Sequence, residues 1–171
     1  MIRTLLLHLV LWLDRLRRNH ALEHATLHLL SRTHPQALLI GRSDRKGFYL
    51  YGEVPIEAVG QAVFGAAQRL RAGESRLAIH PNCGTNLITA ATLTTLATVL
   101  AIGSARNPRQ RFDRLPLAVL ASLAALLLAR PAGQMAQRHL TTQAQLGGLQ
   151  VLSIERLAKP GPVIHRVRTS G

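Results

Sequence analysis

Three histidines and one glutamate lie close together in NHALEHATLH, residues 19 to 28. His20, His24 and His28 are spaced by four residues, so on an α-helix they follow one stripe with Glu23 beside the first two. The string from His20 to His24 has the His-x-x-Glu-His spacing of the inverted zinc-protease motif, in which two neutral imidazoles bind zinc and the glutamate acts on metal-bound water. Only three positions of that motif are fixed, so the alternative is that these histidines cap, hydrogen-bond or face a headgroup layer.

A second group of potential ligands lies in HPNCGTN, residues 80 to 86, which contains the only cysteine of the chain. His80 offers an imidazole and Cys83 a thiolate, in a segment constrained by proline and glycine. Two helical histidines with one or both of these ligands would form a tetrahedral site, for which zinc is the expected ion and iron or copper the alternatives. The plainer interpretation is that Cys83 is a small buried apolar residue, as most cysteines outside disulfides are.

The composition of the 171-residue chain is apolar and basic, with 47% hydrophobic residues and 21 Lys+Arg against 8 Asp+Glu. A net charge of +13 suits an anionic membrane surface or a nucleic acid. Basic residues occur in every segment and only 4% of the residues are aromatic, which argues against nucleic acid. The expected partners are therefore the lipid bilayer and its anionic headgroups.

Two apolar runs predict a transmembrane hairpin. The 29 residues between Arg76 and Arg106 contain no Asp, Glu, Lys or Arg, and residues 87–104 form a run long enough to span a bilayer. The second run, residues 115–129, would reach only about 23 Å as a helix, short of the ~30 Å hydrocarbon core. The polar segment between them carries four arginines. The alternative is a helical hairpin buried in a soluble protein.

The remaining segments predict a small module of helices and strands. The fold class is therefore an α+β membrane protein with an N-terminal helix, a small mixed sheet with one covering helix, and a two-helix transmembrane hairpin inserted before C-terminal strands. The predicted elements are a helix over residues 4–32, strands over 37–41 and 47–52 around a polar turn at 42–46, a helix opened by Pro55, and a strand over 76–79. Strands over 149–157 and 163–169 follow the apolar hairpin. The predicted domains are 1–85, 86–130 and 131–171, the last with a C-terminal helix and a β-hairpin that completes the sheet.

A hairpin places the N- and C-terminal parts of the chain on the same side of the membrane. Two observations favour opposite orientations. The absence of a clear cleavage site after the first apolar run favours the cytoplasmic side for the N- and C-terminal parts. The four arginines of the connecting loop, taken alone, favour the cytoplasmic side for the loop. Trp12, at the end of that first run, is expected near the headgroups.

The His-x-x-Glu-His helix followed by HPNCGT just before an apolar helix resembles YqhQ-like membrane proteins. The chain is even more similar to a family of short, uncharacterised bacterial membrane proteins that share HALEHAT and HPNCGTN. The similarity covers roughly residues 19 to 90, including GFYLYG and LAIHPNCGTNL. Neither family has an established reaction, so the resemblance implies a bacterial inner-membrane location and a shared site. The positions carried over are His20, Glu23, His24, His80, Cys83, Gly84 and Thr85, while His28 falls outside the matching part.

Three functions compete. In the first, a structural metal ion clamps the first helix to the loop before the hairpin, and the protein acts as a scaffold or assembly factor for an unknown protein partner, with a homo-oligomer left open. In the second, the protein is a membrane-bound, peptidase-like, zinc-dependent hydrolase, with Glu23 as general base and with His20, His24 and a third group as metal ligands. In the third, it is a basic nucleic-acid-binding module. Thiolate ligation is typical of closed structural sites, so the scaffold ranks first and the nucleic-acid module last.

Overall fold

The computed structural model describes residues 2–103, 105–158 and 161–171. The chain divides into two compact units, the first containing residues 1–80 and 138–171 and the second containing residues 81–137. The elements are α1 (Ile2–Thr33), β1 (Ile40–Asp44), β2 (Gly47–Tyr51), α2 (Ile56–Arg71), a 3-10 turn (Ser75–Ala78), α3 (Gly84–Ile102), α4 (Pro108–Asp113), α5 (Leu115–Ala136), a π-helical turn (Gln137–Thr141), β3 (Gln150–Leu157) and β4 (Ile164–Ser170).

The first unit contains a four-stranded sheet in the order β1-β2-β4-β3. All three pairings are antiparallel, and β3 has a bulge between Val151 and Ser153. Strands from the two ends of the chain therefore lie in one sheet. The prediction of a mixed sheet is wrong for the described residues, because β1 and β2 form a hairpin and β4 runs opposite to both of its neighbours.

The polar segment at residues 42–46 is not the five-residue turn that the sequence predicts. Residues 42–44 belong to β1, and only Arg45 and Lys46 form the turn. Gly47 makes this tight reversal possible, since its φ is 131° and a Cβ there would clash with the main chain of Val167. Asp44 can belong to β1 because its partner is distant in the sequence: its carboxylate forms a 2.9 Å ion pair with the buried Arg166.

The predicted strand over residues 76–79 is also wrong, since Ser75–Ala78 forms a 3-10 turn. A run of four residues with apolar Leu77, Ala78 and Ile79 has the same pattern in a strand and in a buried turn, so periodicity does not distinguish the two. The turn begins shortly after Gly73, whose φ of 93° lets the chain turn away from the end of α2. It leaves the carbonyl groups of Ala78 and Ile79 available to side chains of α1.

The core of the first unit lies between α1, α2 and one face of the sheet. The predicted first helix is confirmed and ends at Thr33, two residues before Pro35. Each fully buried Leu, Val or Phe contributes roughly 1.5–3 kcal/mol relative to an exposed side chain. The buried apolar residues include Ala21, Leu22, Ala25 and Leu30 of α1, Phe48 and Leu50 of β2, Val59, Val63 and Leu70 of α2, and Val167 of β4.

The second unit is a hairpin of α3 and α5. The hydroxyl groups of Thr98 and Ser122 are 2.9 Å apart, and the amide of Gln137 donates to Asn86 Oδ1 at 2.8 Å, so the two helices run antiparallel. The short helix α4 lies in the connecting segment and is capped by Asn107, which accepts from the N–H of Gln110.

Helix α5 is longer than the predicted run of 15 residues. It continues through Arg130 and Pro131 to Ala136, and its 22 residues correspond to about 33 Å, so the expected shortfall against the bilayer disappears. Ser104, at the end of the predicted first span, and Lys159 and Pro160, in the predicted turn between the last strands, lie outside the described residues.

The surfaces of α3 and α5 are apolar and exposed. The segments Gly84–Ile102 and Leu115–Thr141 are each long and apolar enough to cross a membrane, by length and composition. Leu100 is 79% exposed and Leu127 is 80% exposed, and α3 has no buried residue at all. Exposed apolar surface on this scale is rare in soluble monomers.

Candidate metal centre

Helix α1 is fixed in its rotation next to the first histidine. Asn19 is fully buried, and its amide donates to the carbonyl of Asp44 at 2.8 Å. The hydroxyl of Thr169 donates to Asn19 Oδ1 at 2.7 Å, so one side chain connects α1 to both β1 and β4. Because these contacts set which face of α1 points to the sheet, they also set where the histidine stripe points.

The histidine stripe of α1 meets His80 in a continuous row of four imidazoles. The ring centroids of His20 and His24 are 4.3 Å apart, and their ligand nitrogens lie within 4.8 Å. His80 approaches the row from the end of the 3-10 turn, with its centroid 5.6 Å from that of His24 and 4.8 Å from that of His28. The structure therefore brings together three of the predicted ligands, His20, His24 and His80, and adds His28.

Backbone carbonyl groups hold the rings of the stripe. Nδ1 of His24 donates to the carbonyl oxygen of Ala78 at 2.7 Å, and Nδ1 of His20 donates to that of Thr141 at 2.9 Å. Since a carbonyl oxygen only accepts, each ring carries its proton on Nδ1, and in the neutral form the lone pair is on Nε2. Metal-ligating histidines are usually oriented by this type of hydrogen bond.

His28 is hydrogen-bonded through the other ring nitrogen than His20 and His24. Its Nε2 donates to the carbonyl of Ile79 at 2.9 Å, so in the neutral form its lone pair is on Nδ1. The 3-10 turn thus supplies two successive carbonyls, from Ala78 and Ile79, to two successive histidines of α1. His28 has a position in the row that the motif resemblance left open, and its spacing of four residues from His24 is the signal that could have indicated it.

The electrostatics of the row keep two of its imidazoles neutral. Burial, followed by the positive charge of His20, lowers the pKa of His24 to about 3, although the bond to Ala78 opposes this. Burial, followed by the charge of His28, lowers the pKa of His80 to about 4. Both rings are therefore unprotonated at neutral pH, which is the state that binds a metal ion.

Glu23 is held by β1 at a buried position. It is 4% exposed, and the hydroxyl of Ser43 donates to its Oε2. Gly41 makes room for this carboxyl group, since a Cβ at that position would clash with Glu23 Oε1. Burial raises the pKa of Glu23, against the opposing effects of the Ser43 hydrogen bond and the charge of His20. No motif indicates Ser43 and Gly41 as partners of Glu23, because both contacts join segments that are distant in the chain.

Cys83, in the second unit, occupies the N-cap position of α3. Its sulfur accepts from the backbone N–H of Thr85 at 3.4 Å, and its side chain is buried. Cys83 lines a cleft of about 510 Å³ at the open end of the hairpin, together with Pro81, Leu87 and Arg130. The thiol is thus placed at the start of α3, beside a cleft that apolar residues, two asparagines and one arginine line.

Comparison with known proteins places the chain in a family. The family model described as Domain of unknown function (DUF6391) matches residues 15–154, which include the histidine stripe and Cys83. A protein of Picosynechococcus sp. that is described only as uncharacterised is 37% identical over 142 residues, covering 77% of this chain and 67% of that protein. No solved structure matches the chain. The similarity to YqhQ-like membrane proteins stays a prediction. The chain belongs to the DUF6391 family of uncharacterised proteins.

Proposed function

We propose that this protein is a small integral-membrane scaffold or assembly factor whose first helix is clamped by a structural metal ion. The observation that carries the proposal is the pair of His20 and His24, each oriented by a backbone carbonyl so that Nε2 has the lone pair. The ion is expected to be zinc, bound by His20, His24, His80 and Cys83. The protein would act through a protein partner that binds its exposed surface.

The donor set supports a closed site. We expect Cys83 to join His20 and His24 at the ion, because imidazole and thiolate ligands together suit structural zinc. Cys83 follows His80 by three residues, so covalent geometry alone keeps their Cα atoms within about 11 Å of each other. Four protein ligands that include a thiolate are typical of structural zinc sites, and the mixture of imidazole and thiolate also accepts iron or copper.

The environment of Glu23 favours this structural role over hydrolysis. A general base needs access to a metal-bound water, whereas Glu23 is buried and accepts a hydrogen bond from Ser43 on β1. The second candidate function is a membrane-bound zinc-dependent hydrolase with Glu23 as base. Its support is the raised pKa of this carboxyl group, as catalytic carboxyls often have.

The membrane part of the proposal follows from the hairpin. Burial of α3 and α5 in a bilayer would cover apolar side chains that the hairpin leaves exposed, such as Leu100 and Leu127. The N- and C-terminal parts then lie on one side of a bacterial inner membrane, which we propose to be the cytoplasmic side. Arginines of the connecting segment, such as Arg109 and Arg111, would contact anionic headgroups at the other surface.

The test is the metal content of the detergent-purified protein, prepared without chelators and measured by mass spectrometry. We expect near-stoichiometric zinc in the wild type and its loss in Cys83→Ala and His24→Ala. His139→Ala is the matched control, because the His139 side chain is exposed, and it should keep the metal. A wild type without metal would contradict the proposal. Glu23→Gln should also keep the metal, and a peptidase activity of the wild type that this variant lacks would favour the hydrolase.

A further inference from the structure

A basic cleft of about 640 Å³ lies in the first unit, away from the histidine row. It is lined by Arg15 and Arg18 of α1 and by Arg45 and Lys46 of the β1–β2 turn. The acidic residue in the lining is Asp14, which forms a 2.6 Å ion pair with Arg18. The lining therefore has an excess of positive charge, which favours an anionic ligand.

Two of these arginines are held in place by the fold. Arg15 donates to the carbonyl of Thr169 at 3.1 Å, and Arg18 donates to that of Leu146 at 3.1 Å. Gly147 leaves room for the guanidinium of Arg18, where a Cβ would clash with it. Guanidinium groups fixed in this way have donors that match the oxygens of a phosphate.

One side of the cleft is bordered by an apolar, exposed strip of α1. The strip consists of Leu11 and Trp12, which line the cleft and are 58% and 40% exposed. The guanidinium of Arg45 lies 5.8 Å from the centroid of the Trp12 ring. Tryptophan rings are enriched at the headgroup level of bilayers. Cations next to exposed apolar side chains match a ligand with a charged head and a hydrocarbon tail.

We infer that this cleft binds the phosphate headgroup of an anionic phospholipid, with an acyl chain against the apolar strip of α1. The inference rests on the membrane location proposed above and is independent of the metal site. It assigns to this end of α1 the role of anchoring the first unit to the lipid surface.

Trp12 is the only tryptophan of the chain, so its fluorescence reports on this cleft alone. The full-length protein is reconstituted in two kinds of vesicle, both of phosphatidylcholine and phosphatidylglycerol. In one kind the phosphatidylglycerol carries bromine on its acyl chains, and in the other the phosphatidylcholine does, at the same mole fraction of brominated lipid. We expect brominated phosphatidylglycerol to quench Trp12 more strongly than brominated phosphatidylcholine. The double variant Arg45→Gln/Lys46→Gln should reduce the preference for phosphatidylglycerol roughly fivefold per charge removed. Both residues are exposed in a turn, so the fold should be retained.

The control variant is Arg168→Gln, an exposed arginine of β4 that does not line the cleft and should keep the preference. Equal quenching by both lipids in the wild type, or an unchanged preference in the double variant, would overturn the inference. Loss of the preference on addition of inorganic phosphate, but not of sodium chloride at equal ionic strength, would overturn the lipid assignment in favour of a soluble phosphate.

Flotation distinguishes this inference from the membrane proposal. Flotation with pure phosphatidylcholine vesicles supports insertion of the hairpin, whatever the cleft binds. Flotation only with vesicles that contain phosphatidylglycerol, lost in Arg45→Gln/Lys46→Gln, would support the cleft and contradict the spanning hairpin. Flotation with neither kind of vesicle would contradict both.

Discussion

The hydrogen bond from Ser43 to Glu23 gives a quantitative test of how the first unit is held together. The substitution Ser43→Ala removes a donor from a carboxyl group that is only 4% exposed. A hydrogen bond to a charged group contributes about 1.5–3 kcal/mol, and a buried acceptor left without its donor costs a similar amount. We therefore expect the free energy of unfolding to fall by about 2 kcal/mol. For a chain of this length, that loss corresponds to a decrease in Tm of roughly 4–8 °C.

The assay is thermal unfolding of the detergent-solubilised protein, followed by circular dichroism. Ser153→Ala provides a matched control, since its hydroxyl donates to the carboxylate of Glu155 at 2.7 Å in an exposed pair on β3. An exposed substitution of this kind changes stability by about 0.5 kcal/mol or less, so its Tm should stay within about 2 °C of the wild type. Equal Tm values for the two serine variants would refute the argument that burial makes the Ser43 contact strong.

Three further predictions concern pH, the core and the hairpin. The folded-state pKa values of His24 and His80 are about 3 and 4, below the ordinary 6.5, so the unfolded chain binds more protons at acid pH. The free energy of unfolding of the metal-free protein should therefore fall as pH drops from about 6.5 to 4, as urea titrations would measure. Leu22→Ala removes a fully buried side chain of α1 and should cost about 2–5 kcal/mol in the same titrations, whereas Leu38→Ala, at an exposed position, should cost little. Gly133→Val places a branched side chain against Asn86 and should separate α3 from α5. Crosslinking between engineered cysteines on the two helices should then give a lower yield than in the control Gly148→Val, where the added side chain enters open space.

Sequence patterns predicted those elements whose periodicity or hydropathy is continuous over many residues. The first helix, the helix after Pro55 and the apolar hairpin are of this kind. The last two strands were also predicted, although a bulge interrupts the alternation in β3. The segment at residues 76–79 was predicted wrongly because four residues are too few for periodicity to separate a strand from a turn. The extent of β1 was also missed, because Ser43 and Asp44 have polar partners, Glu23 and Arg166, that are distant in the sequence.

The candidate site was predictable as a set of residue types, and much less as an arrangement. The spacing of His20, His24 and His28 indicates one helix face without any structural information. The groups that orient those rings are backbone carbonyls, including those of Ala78 and Thr141, and any residue type can provide a carbonyl. No side-chain pattern therefore encodes them, and the neutral state of His24 depends on burial that only the folded chain creates.

We propose that imidazoles of α1 and the thiolate of Cys83 bind one metal ion. X-ray absorption at the zinc edge, on the purified full-length protein, tests it most directly because sulfur and nitrogen ligands scatter at different distances. We expect one sulfur at about 2.3 Å and three nitrogens at about 2.0–2.1 Å, with the sulfur lost in Cys83→Ser. A spectrum with nitrogen and oxygen ligands only, or a protein that binds no metal, would contradict it.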